Sequence, residues 1–253
     1  MSIKIQIISD LHLEFMTSLP DFLNENFIKA EYLFLAGDIG YPNYPEYNLG
    51  LFYEFICWCC NNYKKIFFVM GNHESYTNDI LNIKKSLRQI SSEKSNFVFL
   101  EIGIISELEN YKVIGCTLWS FVEQESYKYM NDSKKIKYNG QNIKREDIIK
   151  FYMEDKQWIK DNVDSNTIVM THHLPSYKLI HIDFYNFNFE KINSGYASDS
   201  DMLIDKSKLW IFGHTHRNSD TILNKTRCIC NPYGYIFNDE YKKTGFTTDC
   251  FII

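Results

Sequence analysis

The most constraining feature of this sequence is a set of five short β-like segments, each followed at once by a polar segment with Asp, Asn or His. The β-like segments are Ile3–Ile8, Tyr32–Ala36, Ile66–Met70, Thr167–Thr171 and Leu209–Phe212. The second and third are unbroken apolar runs, which predict strands covered on both faces. Ligands bind at the carboxyl ends of strands in open α/β sheets. The pattern therefore predicts that the five polar segments meet at one rim of the fold.

Longer segments with helical patterning separate these strands. Leu49–Tyr63 and Asp79–Ser91 flank the third strand, and Ile143–Asn162 is another predicted helix. This βαβ order predicts parallel strands with helices covering the sheet. The chain has 253 residues, of which 45% are apolar. Both values suit one globular domain that spans residues 1–253.

Closely spaced strands in the rest of the chain predict antiparallel pairing as well. They are Phe97–Leu100, Ile102–Glu107, Tyr111–Cys116, Asp220–Leu223 and Arg227–Cys230. Turns are predicted at Glu109-Asn110 and at Asn224-Lys225, and the second turn joins a hairpin. Parallel and antiparallel strands in one chain indicate an α/β fold with two sheets packed between helical layers. The aromatic segment 177–195 is irregular and is predicted to be a long loop.

Composition and charge restrict the class of partner and the cellular location. The formal net charge is −5, which gives no support to a large nucleic-acid-binding face, because such faces rely on Lys and Arg. No apolar run is long enough to span a bilayer. The seven cysteines form no Cys-x-x-Cys pair, and the chain begins without an apolar signal segment. These features favour reduced thiols, a cytoplasmic location and no membrane contact.

The residue types in the polar segments are those that bind metal ions. Asp10 and His12 are two positions apart, so their side chains point the same way in an extended segment and face one cation. His214 and His216 have the same spacing. Asp38 has two carboxylate oxygens and can therefore bridge two cations. Carboxylate and imidazole ligands together suit Mn, Fe or Zn.

Two further features of the polar segments point the same way. A glycine precedes each of three candidate ligands, Asp38, Asn72 and His214. Because glycine adopts positive φ without steric penalty, these positions are predicted to let the backbone turn sharply where each strand ends. Six of the seven histidines of the chain lie in the polar segments, whereas unselected surface histidines would be scattered.

The order of these segments resembles the signature of the calcineurin-like metallophosphoesterases. The matching segments are Asp10-Leu11-His12, Gly37-Asp38, Gly71-Asn72-His73-Glu74, His172 and Gly213-His214-Thr215-His216. Segments 115–119, 196–199 and 231–235 also resemble small stand-alone members of that superfamily. The resemblance implies an αββα sandwich, in which two mixed β-sheets are flanked by helices, and a site for two divalent cations.

The resemblance also implies how the ligands are divided between the two metals. One metal would be bound by Asp10, His12, Asp38 and His216. The other would be bound by Asp38, Asn72, His172 and His214. The expected ions are Mn, Fe, Zn or Mg, with Mn favoured, and a water shared between them would attack the phosphate. His73 would contact the substrate beside the leaving-group oxygen, as a general acid or a charge stabiliser.

Several residues in or near these segments have a structural interpretation as well. Asp10 taken alone could be a helix N-cap, and only the five motifs in order favour the metal site. Arg217 is a weak candidate for binding the substrate phosphate, and a surface ion pair explains it equally well. His173 is either a phosphate contact or a buried histidine. Glu74 is expected to support its loop, and Asn231 either lines the site or forms an Asn-Pro turn.

The sequence therefore predicts a metal-dependent phosphoric ester hydrolase that acts on phosphate mono- or diesters through metal-activated water. A nucleotide is one candidate for the small phosphorylated substrate, because the loop between His172 and His214 is rich in aromatic residues. These are Tyr177, Phe184, Tyr185, Phe187, Phe189 and Tyr196. The same rings could instead pack the loop onto the domain. A binding scaffold without efficient catalysis and a nuclease are the alternative functions, and the sequence leaves the oligomeric state open.

Overall fold

Two β-sheets lie face to face between helices in the computed structural model of this protein, which describes residues 2–42, 50–76, 78–184 and 192–253. The first sheet contains β1 (Lys4–Ile8), β2 (Tyr32–Ala36), β3 (Lys65–Val69), β4 (Phe97–Phe99) and β13 (Phe251–Ile252). The second contains β5 (Ser106–Leu108), β6 (Tyr111–Cys116), β9 (Thr167–Thr171), β10 (Leu209–Phe212), β11 (Ser219–Leu223) and β12 (Thr226–Cys230). A separate hairpin is formed by β7 (Lys137–Tyr138) and β8 (Gln141–Asn142).

Helices cover the outer faces of both sheets. The described residues contain α1 (Leu51–Asn62), α2 (Ile80–Glu93), α3 (Gln124–Tyr129), α4 (Asp132–Lys135), α5 (Arg145–Asn162) and α6 (Asp201–Ile204). Short 3-10 segments span Leu13–Phe15, Glu25–Phe27, His73–Ser75, Tyr177–Leu179, Ile182–Phe184, Asn193–Gly195 and Phe237–Lys242. Helices α1 and α2 contact the first sheet, and α5 contacts the second.

Local sequence explains where the covering helices begin and which side they bury. The carboxylate of Asp79 accepts a hydrogen bond from the backbone N–H of Leu81 and caps α2, which is the usual role of Asp at this position. The buried side chains of α2 recur every three or four positions, at Ile80, Ile83, Leu87 and Ile90. This spacing places one apolar face of α2 against the first sheet.

Parallel strands form the centre of each sheet, and antiparallel strands lie at three of the four edges. The first sheet has the order β13-β1-β2-β3-β4, in which β1 to β4 are parallel and β13 is antiparallel to β1. The second has the order β11-β12-β10-β9-β6-β5, with β11 and β5 antiparallel to their neighbours. The predicted αββα sandwich of two mixed sheets is therefore confirmed.

An apolar layer fills the space between the sheets. Members of this layer include Ile7, Phe34, Phe67, Val113, Ile168 and Ile211. Phe34 and Phe67 stack with their ring centroids 4.8 Å apart. On the opposite face of β3, Phe68 packs against Phe52 of α1. Because β2 and β3 are buried on both faces, their sequences do not alternate between apolar and polar residues. Burial of each large apolar side chain stabilises the folded state by about 1.5–3 kcal/mol.

One predicted strand is wrong. Ile102–Glu107 was expected to be extended, but the strand covers only Ser106–Leu108. Residues 102 to 105 instead connect β4, at the edge of the first sheet, to β5, at the edge of the second. Gly103 has φ of 93°, which turns the chain in this connection, and Ile105 is 50% exposed. The strand propensity of isoleucine therefore predicted a strand where the chain crosses between sheets.

Some features fall outside the sequence predictions. Helices α3 and α4, the β7–β8 hairpin and strand β13 were not predicted. Tyr185, Phe187 and Phe189 of the aromatic loop lie outside the described residues. All seven cysteines are free thiols. Within the described ranges, no helix combines the length and the apolar character that crossing a membrane requires.

Candidate metal centre

The carboxyl ends of five parallel strands meet at one rim of the two sheets, as the sequence predicts. The polar segments after β1, β2 and β3 come from the first sheet, and those after β9 and β10 come from the second. The structure brings all seven predicted ligands and His73 together at this rim. His214 and His216 are partly exposed, whereas the other predicted ligands are buried.

The backbone of this rim is strained. Five predicted ligands have positive φ, namely Asp10 (51°), His12 (53°), Asp38 (53°), His214 (69°) and His216 (48°). Such a conformation costs about 1–2 kcal/mol per residue, and strain of this kind concentrates at functional sites. The segments after β1 and β10 are therefore not extended, so the expected reason for the pairing of Asp10 with His12 is wrong, although both side chains do reach the same site.

Backbone hydrogen bonds between neighbouring segments hold this strained conformation. The N–H of Asp10 donates to the carbonyl of Gly37, and the N–H of His12 donates to the carbonyl of Asp38, each at 3.0 Å. The backbone N–H of His214 donates to both carboxylate oxygens of Asp10. The first and last ligand segments are thus tied together across the two sheets.

Glycines are needed at this rim for two different reasons. Gly37 has φ of 84°, so it makes the sharp turn expected before Asp38. Gly71 and Gly213 do not have positive φ, and there the expected reason is wrong. A Cβ at Gly71 would lie 2.2 Å from Oδ1 of Asp38, and one at Gly213 would lie 2.7 Å from the carbonyl oxygen of Ala36. These two positions require glycine because other segments approach them closely.

The first ligand group consists of Asp10, His12 and His216, with Asp38 beside them. One ligand atom from each of Asp10, His12 and His216 lies within 4.8 Å of the others. Nε2 of His12 is 3.1 Å from Nε2 of His216. Nε2 of His216 is 3.5 Å from Oδ1 of Asp10, and Nε2 of His12 is 4.0 Å from Oδ2 of Asp38.

A carboxylate fixes the far side of each imidazole in the first ligand group. Nδ1 of His12 donates to Oε1 of Glu14 at 3.0 Å, and Nδ1 of His216 donates to Oε2 of Glu240 at 2.8 Å. In the neutral rings the proton is then on Nδ1, so each Nε2 carries a lone pair. Two lone pairs 3.1 Å apart repel each other unless a cation lies between them. The first ligand group therefore fits a metal ion.

The second ligand group consists of Asn72, His172 and His214, again with Asp38. Nε2 of His172 is 3.0 Å from Nδ1 of His214 and 3.2 Å from Oδ1 of Asn72. It is also 3.3 Å from Oδ2 of Asp38. Nδ1 of His172 donates to the carbonyl of Ala36 at 2.9 Å, which leaves the lone pair of the neutral ring on Nε2.

The amide of Asn72 is oriented by two neighbours. Its Nδ2 donates to Oδ1 of Asp132 at 2.8 Å and to the hydroxyl of Tyr76 at 3.1 Å. Its Oδ1 therefore faces His172, as a metal ligand must. With the amide fixed in this way, four acceptor atoms converge in the second ligand group, and their donor types suit a divalent cation.

Asp38 lies between the two groups. Its Oδ2 is the oxygen nearest to both His12, at 4.0 Å, and His172, at 3.3 Å. Its Oδ1 accepts a hydrogen bond from the backbone N–H of His73 at 2.8 Å. Oδ2 is therefore the oxygen of Asp38 that faces both ligand groups, and bridging of two cations by this residue stays a prediction.

Without a metal, one imidazole in each group binds a proton. Burial lowers the pKa of His216, but hydrogen bonds to Asp10 and Glu240 outweigh burial and raise the pKa to about 10. Burial also lowers the pKa of His172, but the charge of Asp38 outweighs it and raises the pKa to about 9. Each group therefore attracts positive charge, which a bound divalent cation would supply in place of the proton.

His73 lies beside the predicted metal ligands and is not one of the seven residues that were assigned to the metals. Its Nδ1 is 2.8 Å from Oε1 of Glu14, and its Nε2 is 3.3 Å from the hydroxyl of Tyr235. The ring stacks on Tyr76 with centroids 4.0 Å apart. Burial lowers the pKa of His73, but Asp38 and Glu14 outweigh burial and raise it. The raised pKa favours the protonated ring, in which Nε2 carries a proton that it can donate.

A cavity of about 230 Å³ adjoins both groups, and we call it the large cavity. Aromatic and other apolar side chains form part of its wall, namely Tyr76, Tyr129, Met130, Phe184, Tyr196 and Tyr235. The carboxylates of Asp132 and Glu240 also line it. The aromatic segment after His172 thus contributes Phe184 and Tyr196 to the site.

The remaining predicted residues have structural contacts of their own. Nε of Arg217 donates to Oδ2 of Asp183 at 3.1 Å, and Arg217 does not line the large cavity. His173 is buried, and burial lowers its pKa to about 3. The carboxylate of Glu74 accepts hydrogen bonds from backbone N–H groups of the neighbouring loops. Nδ2 of Asn231 donates to the carbonyl oxygen of Ile7 and joins the second sheet to the first.

Sequence reasoning missed three carboxylates of the centre, Glu14, Asp132 and Glu240. Glu14 could have been found, because it lies two residues after His12 in the same strand-end segment. Glu240 lies 24 residues after its partner His216, and Asp132 lies 60 residues after Asn72. Neither spacing carries a signal that a single sequence could reveal.

Sequence comparison identifies related proteins. A model of the family described as calcineurin-like phosphoesterase matches residues 3–218. An uncharacterized protein, L509, from Acanthamoeba polyphaga mimivirus is 28% identical over 261 residues, which make up 91% of this chain and 91% of that protein.

Solved structures with the same fold include two that span this chain. A phosphopantetheinyl hydrolase from Mycobacterium tuberculosis aligns with a TM-score of 0.74 at 14% identity, over 100% of this chain and 96% of that one. The protein TT1561 from Thermus thermophilus aligns with a TM-score of 0.57 at 11% identity, over 100% of this chain and 99% of that one. At such identities the similarity concerns the fold alone.

Proposed function

This chain belongs to the calcineurin-like phosphoesterase family, and we propose that it hydrolyses phosphate mono- or diesters with two divalent cations. The first would be held by Asp10, His12, Asp38 and His216, and the second by Asp38, Asn72, His172 and His214. The observation that carries this proposal is the position of Oδ2 of Asp38, which faces acceptor atoms of both ligand groups. Each ligand group presents several lone-pair atoms that point at one another, and the carboxylate of Asp38 lies between the two groups. Positive charge is therefore needed in both groups.

The chemistry would be divided between the cations and the side chains. When bound, a pair of divalent cations activates water and draws charge from the phosphoryl oxygens. His73 would donate a proton from Nε2 to the leaving-group oxygen. Glu14 would hold the His73 ring in the required orientation through Nδ1, and the same carboxylate oxygen holds His12. Proton donor and metal ligand are thereby positioned by one residue.

The donor set narrows the choice of metal. Each group combines imidazole nitrogen with carboxylate oxygen, and the second adds an amide oxygen. Mn, Fe and Zn accept such mixed ligands, whereas Mg prefers oxygen alone. We propose Mn as the favoured ion of the four. We also propose that residues 1–253 form one domain, since β13 near the end of the chain pairs with β1, and that the protein is cytoplasmic.

A nucleotide is the candidate substrate that the aromatic wall supports. The ring of Tyr196 is 5.0 Å from that of His214, and 42% of its surface is exposed. Stacking of a base on such a ring contributes about 1–3 kcal/mol, which is about one to two powers of ten in affinity. Replacing Tyr196 with Ala should therefore raise KM for a nucleotide more than for a sugar phosphate. An equal rise for both substrates would show that the ring is structural.

Hydrolysis of chromogenic esters tests the proposal. Chelator-treated protein should be inactive and should cleave p-nitrophenyl esters once Mn²⁺ is restored. Asp38→Asn is the matched variant, because it removes the carboxylate that the two cations would share, and it should stay inactive with Mn²⁺. Wild-type protein that binds two metals and cleaves no ester would be a binding scaffold. Faster cleavage of single-stranded DNA than of any small ester would indicate a nuclease.

A further inference from the structure

The described wall of the large cavity carries two carboxylates, and its basic side chains are the histidines of the site. Asp132 and Glu240 line it, and none of the described residues that line it is Lys or Arg. Two cationic side chains lie over rings of this wall: Arg217, which is paired with Asp183, lies over Phe184, and Nζ of Lys135 is 4.9 Å from the ring centroid of Tyr76. No Lys or Arg of the described wall is therefore in direct contact with the cavity, and bound cations would supply most of the positive charge that a substrate meets.

Counting charges at the loaded centre shows what this wall favours. Two divalent cations bring four positive charges, and Asp10 and Asp38 cancel two of them. Glu14, Asp132 and Glu240 add three negative charges close to the same centre, and a protonated His73 adds one positive charge, so the sum is close to zero. A phosphate monoester brings a second negative charge and a third free oxygen, and no Lys or Arg on the described wall receives them. A phosphodiester brings one negative charge, so the repulsion is smaller.

A second, smaller cavity adjoins the same ligands. It measures about 80 Å³ and is lined by Leu174, Ile180, Phe184, Asn193, Tyr196, His214 and Thr215. Four of these residues also border the large cavity, namely Phe184, Tyr196, His214 and Thr215. We call this second space the small cavity. Two spaces of different size and polarity therefore adjoin one metal ligand, His214.

Two cavities beside one phosphate site suit an ester with two substituents. Both arms of a diester leave the phosphorus in different directions, so each needs its own space, whereas a monoester has one arm. The small cavity is about half the size of a 150 Å³ cavity that accepts benzene, and it has room for a group on the order of three carbon atoms. Leu174 and Ile180 give this space an aliphatic wall, and both are buried.

We infer that the substrate is a phosphodiester, with a short aliphatic arm in the small cavity and the larger arm in the large cavity. This inference rests on the proposed function and narrows it, since hydrolysis of monoesters alone would satisfy the broader proposal. It assigns Leu174 and Ile180 as residues that determine specificity. It assigns Asp132 as a residue that disfavours dianionic substrates.

Three esters with one leaving group test the inference. They are p-nitrophenyl phosphate, methyl p-nitrophenyl phosphate and isopropyl p-nitrophenyl phosphate, all assayed with Mn²⁺-loaded protein. The methyl diester should exceed the monoester in kcat/KM by at least about tenfold. The isopropyl diester should exceed the methyl diester by about fourfold for each added carbon that enters the small cavity. A preference for the monoester, or equal values for both diesters, would overturn the inference.

Variants of the small cavity add a matched comparison. Ile180→Phe, which fills the cavity, should reduce the ratio of isopropyl to methyl activity, and Ile180→Ala should raise the ratio for longer alkyl arms. Ile182→Phe is the control, because Ile182 is 74% exposed and does not line the cavity. Thermal melts of all three variants show whether they fold. An unchanged ratio in folded Ile180→Phe would overturn the assignment of the aliphatic arm.

A binding measurement separates this inference from the proposed function. Calorimetric titration of the metal-loaded protein with diisopropyl phosphate and with isopropyl phosphate requires no turnover. The diester should bind at least about tenfold more tightly, and equal or reversed affinities would overturn the inference. Failure to hydrolyse any ester would count against the proposed function, while the titration would still decide between monoester and diester.

Discussion

The two ligand groups of the centre contain similar ligands but differ in what supports them. In the first group, Glu14 and Glu240 accept hydrogen bonds from Nδ1 of the two histidines. In the second group, the carbonyl of Ala36 supports His172, and Asp132 supports the amide of Asn72. The imidazoles of the first group thus face anionic acceptors, whereas the imidazole of His172 faces a neutral one.

This difference predicts which ligand group should bind its cation more tightly. A carboxylate behind an imidazole raises its basicity and fixes its orientation, and loss of such a partner typically costs about 10–100-fold in metal affinity. The first group has two such pairs and a direct carboxylate ligand, Asp10. The second group has an amide ligand in place of that carboxylate. We therefore expect the first group to fill at lower metal concentration than the second.

The largest effect is expected from replacing Asp38, the residue that the two ligand groups share. Asp38→Asn takes negative charge from between two like charges, so both metals should be lost and activity should fall more than in Asp10→Asn. The loss should exceed about 10⁴-fold, the upper end of what general acid catalysis contributes. Kinetics and metal analysis of both variants at saturating Mn²⁺ provide the measurement. Equal or reversed losses would contradict the sharing of Asp38.

A smaller loss of activity is expected from replacing His73, a change that should leave both ligand groups intact. His73→Ala is expected to lower kcat by about 10²–10⁴-fold, because it removes the proton donor. Metal content should stay close to that of the wild type, since His73 is outside the ligand set. Esters with good leaving groups should lose less activity than alkyl esters. A variant that loses a metal would show instead that His73 is a ligand.

Substitutions of the supporting carboxylates should separate the two groups. Glu240→Gln keeps the size of the side chain but removes its charge, and should weaken metal binding by about 10–100-fold in the first group only. Asp132→Asn is the matched change in the second group, and its effect should be smaller because Asp132 supports a neutral amide, whereas Glu240 raises the basicity of an imidazole. Competition with a metallochromic chelator measures both affinities. Equal effects, or a larger effect of Asp132→Asn, would contradict the comparison.

The smallest expected effect is the release of protons on metal binding. Without metal, His172 and His216 have pKa values of about 9 and about 10, so both are protonated at pH 7. Metal binding should displace one proton from each group, and the apparent metal affinity should rise with pH until both pKa values are passed. Titration in weakly buffered solution counts the protons. Release of one proton or none at pH 7 would contradict the assignment.

The same pKa values define how the stability of the metal-free protein depends on pH. Both folded pKa values lie above the ordinary value of 6.5. The stabilising contribution is therefore complete below pH 6.5 and is lost as pH rises through 9 to 10. The free energy of unfolding, measured by denaturant titration, should fall over this range without metal. Metal-loaded protein should show a smaller fall, because cations replace the protons.

Much of the fold could be predicted from sequence because its central strands are buried on both faces. Thr167–Thr171 and Leu209–Phe212 are strands with the predicted bounds, since apolar runs bounded by polar segments have one consistent interpretation. Ile102–Glu107 was mispredicted because isoleucine favours strands even where the chain only crosses between sheets. Strand β13 is two residues long, and a pairing this short leaves no pattern in the sequence.

The residues of the candidate site also divide into those that could be located from the sequence and those that could not. The ligands follow directly after strands, so Asp10, Asn72 and His172 could be located from their neighbours in the sequence. Glu240 and Asp132 reach the site from distant segments, and only tertiary packing brings them there. The left-handed backbone of the ligand segments was also not predictable. It depends on hydrogen bonds between loops of different strands.

Electron paramagnetic resonance of Mn²⁺-loaded protein tests the central claim most directly, when combined with elemental analysis of the same sample. Two Mn²⁺ ions that share a carboxylate oxygen lie roughly 3.5–4 Å apart, so their spins should couple. We expect two ions per chain, with the first binding more tightly, and a coupled spectrum that is lost in Asp38→Asn. One ion per chain, or two ions with uncoupled spectra, would contradict a shared centre.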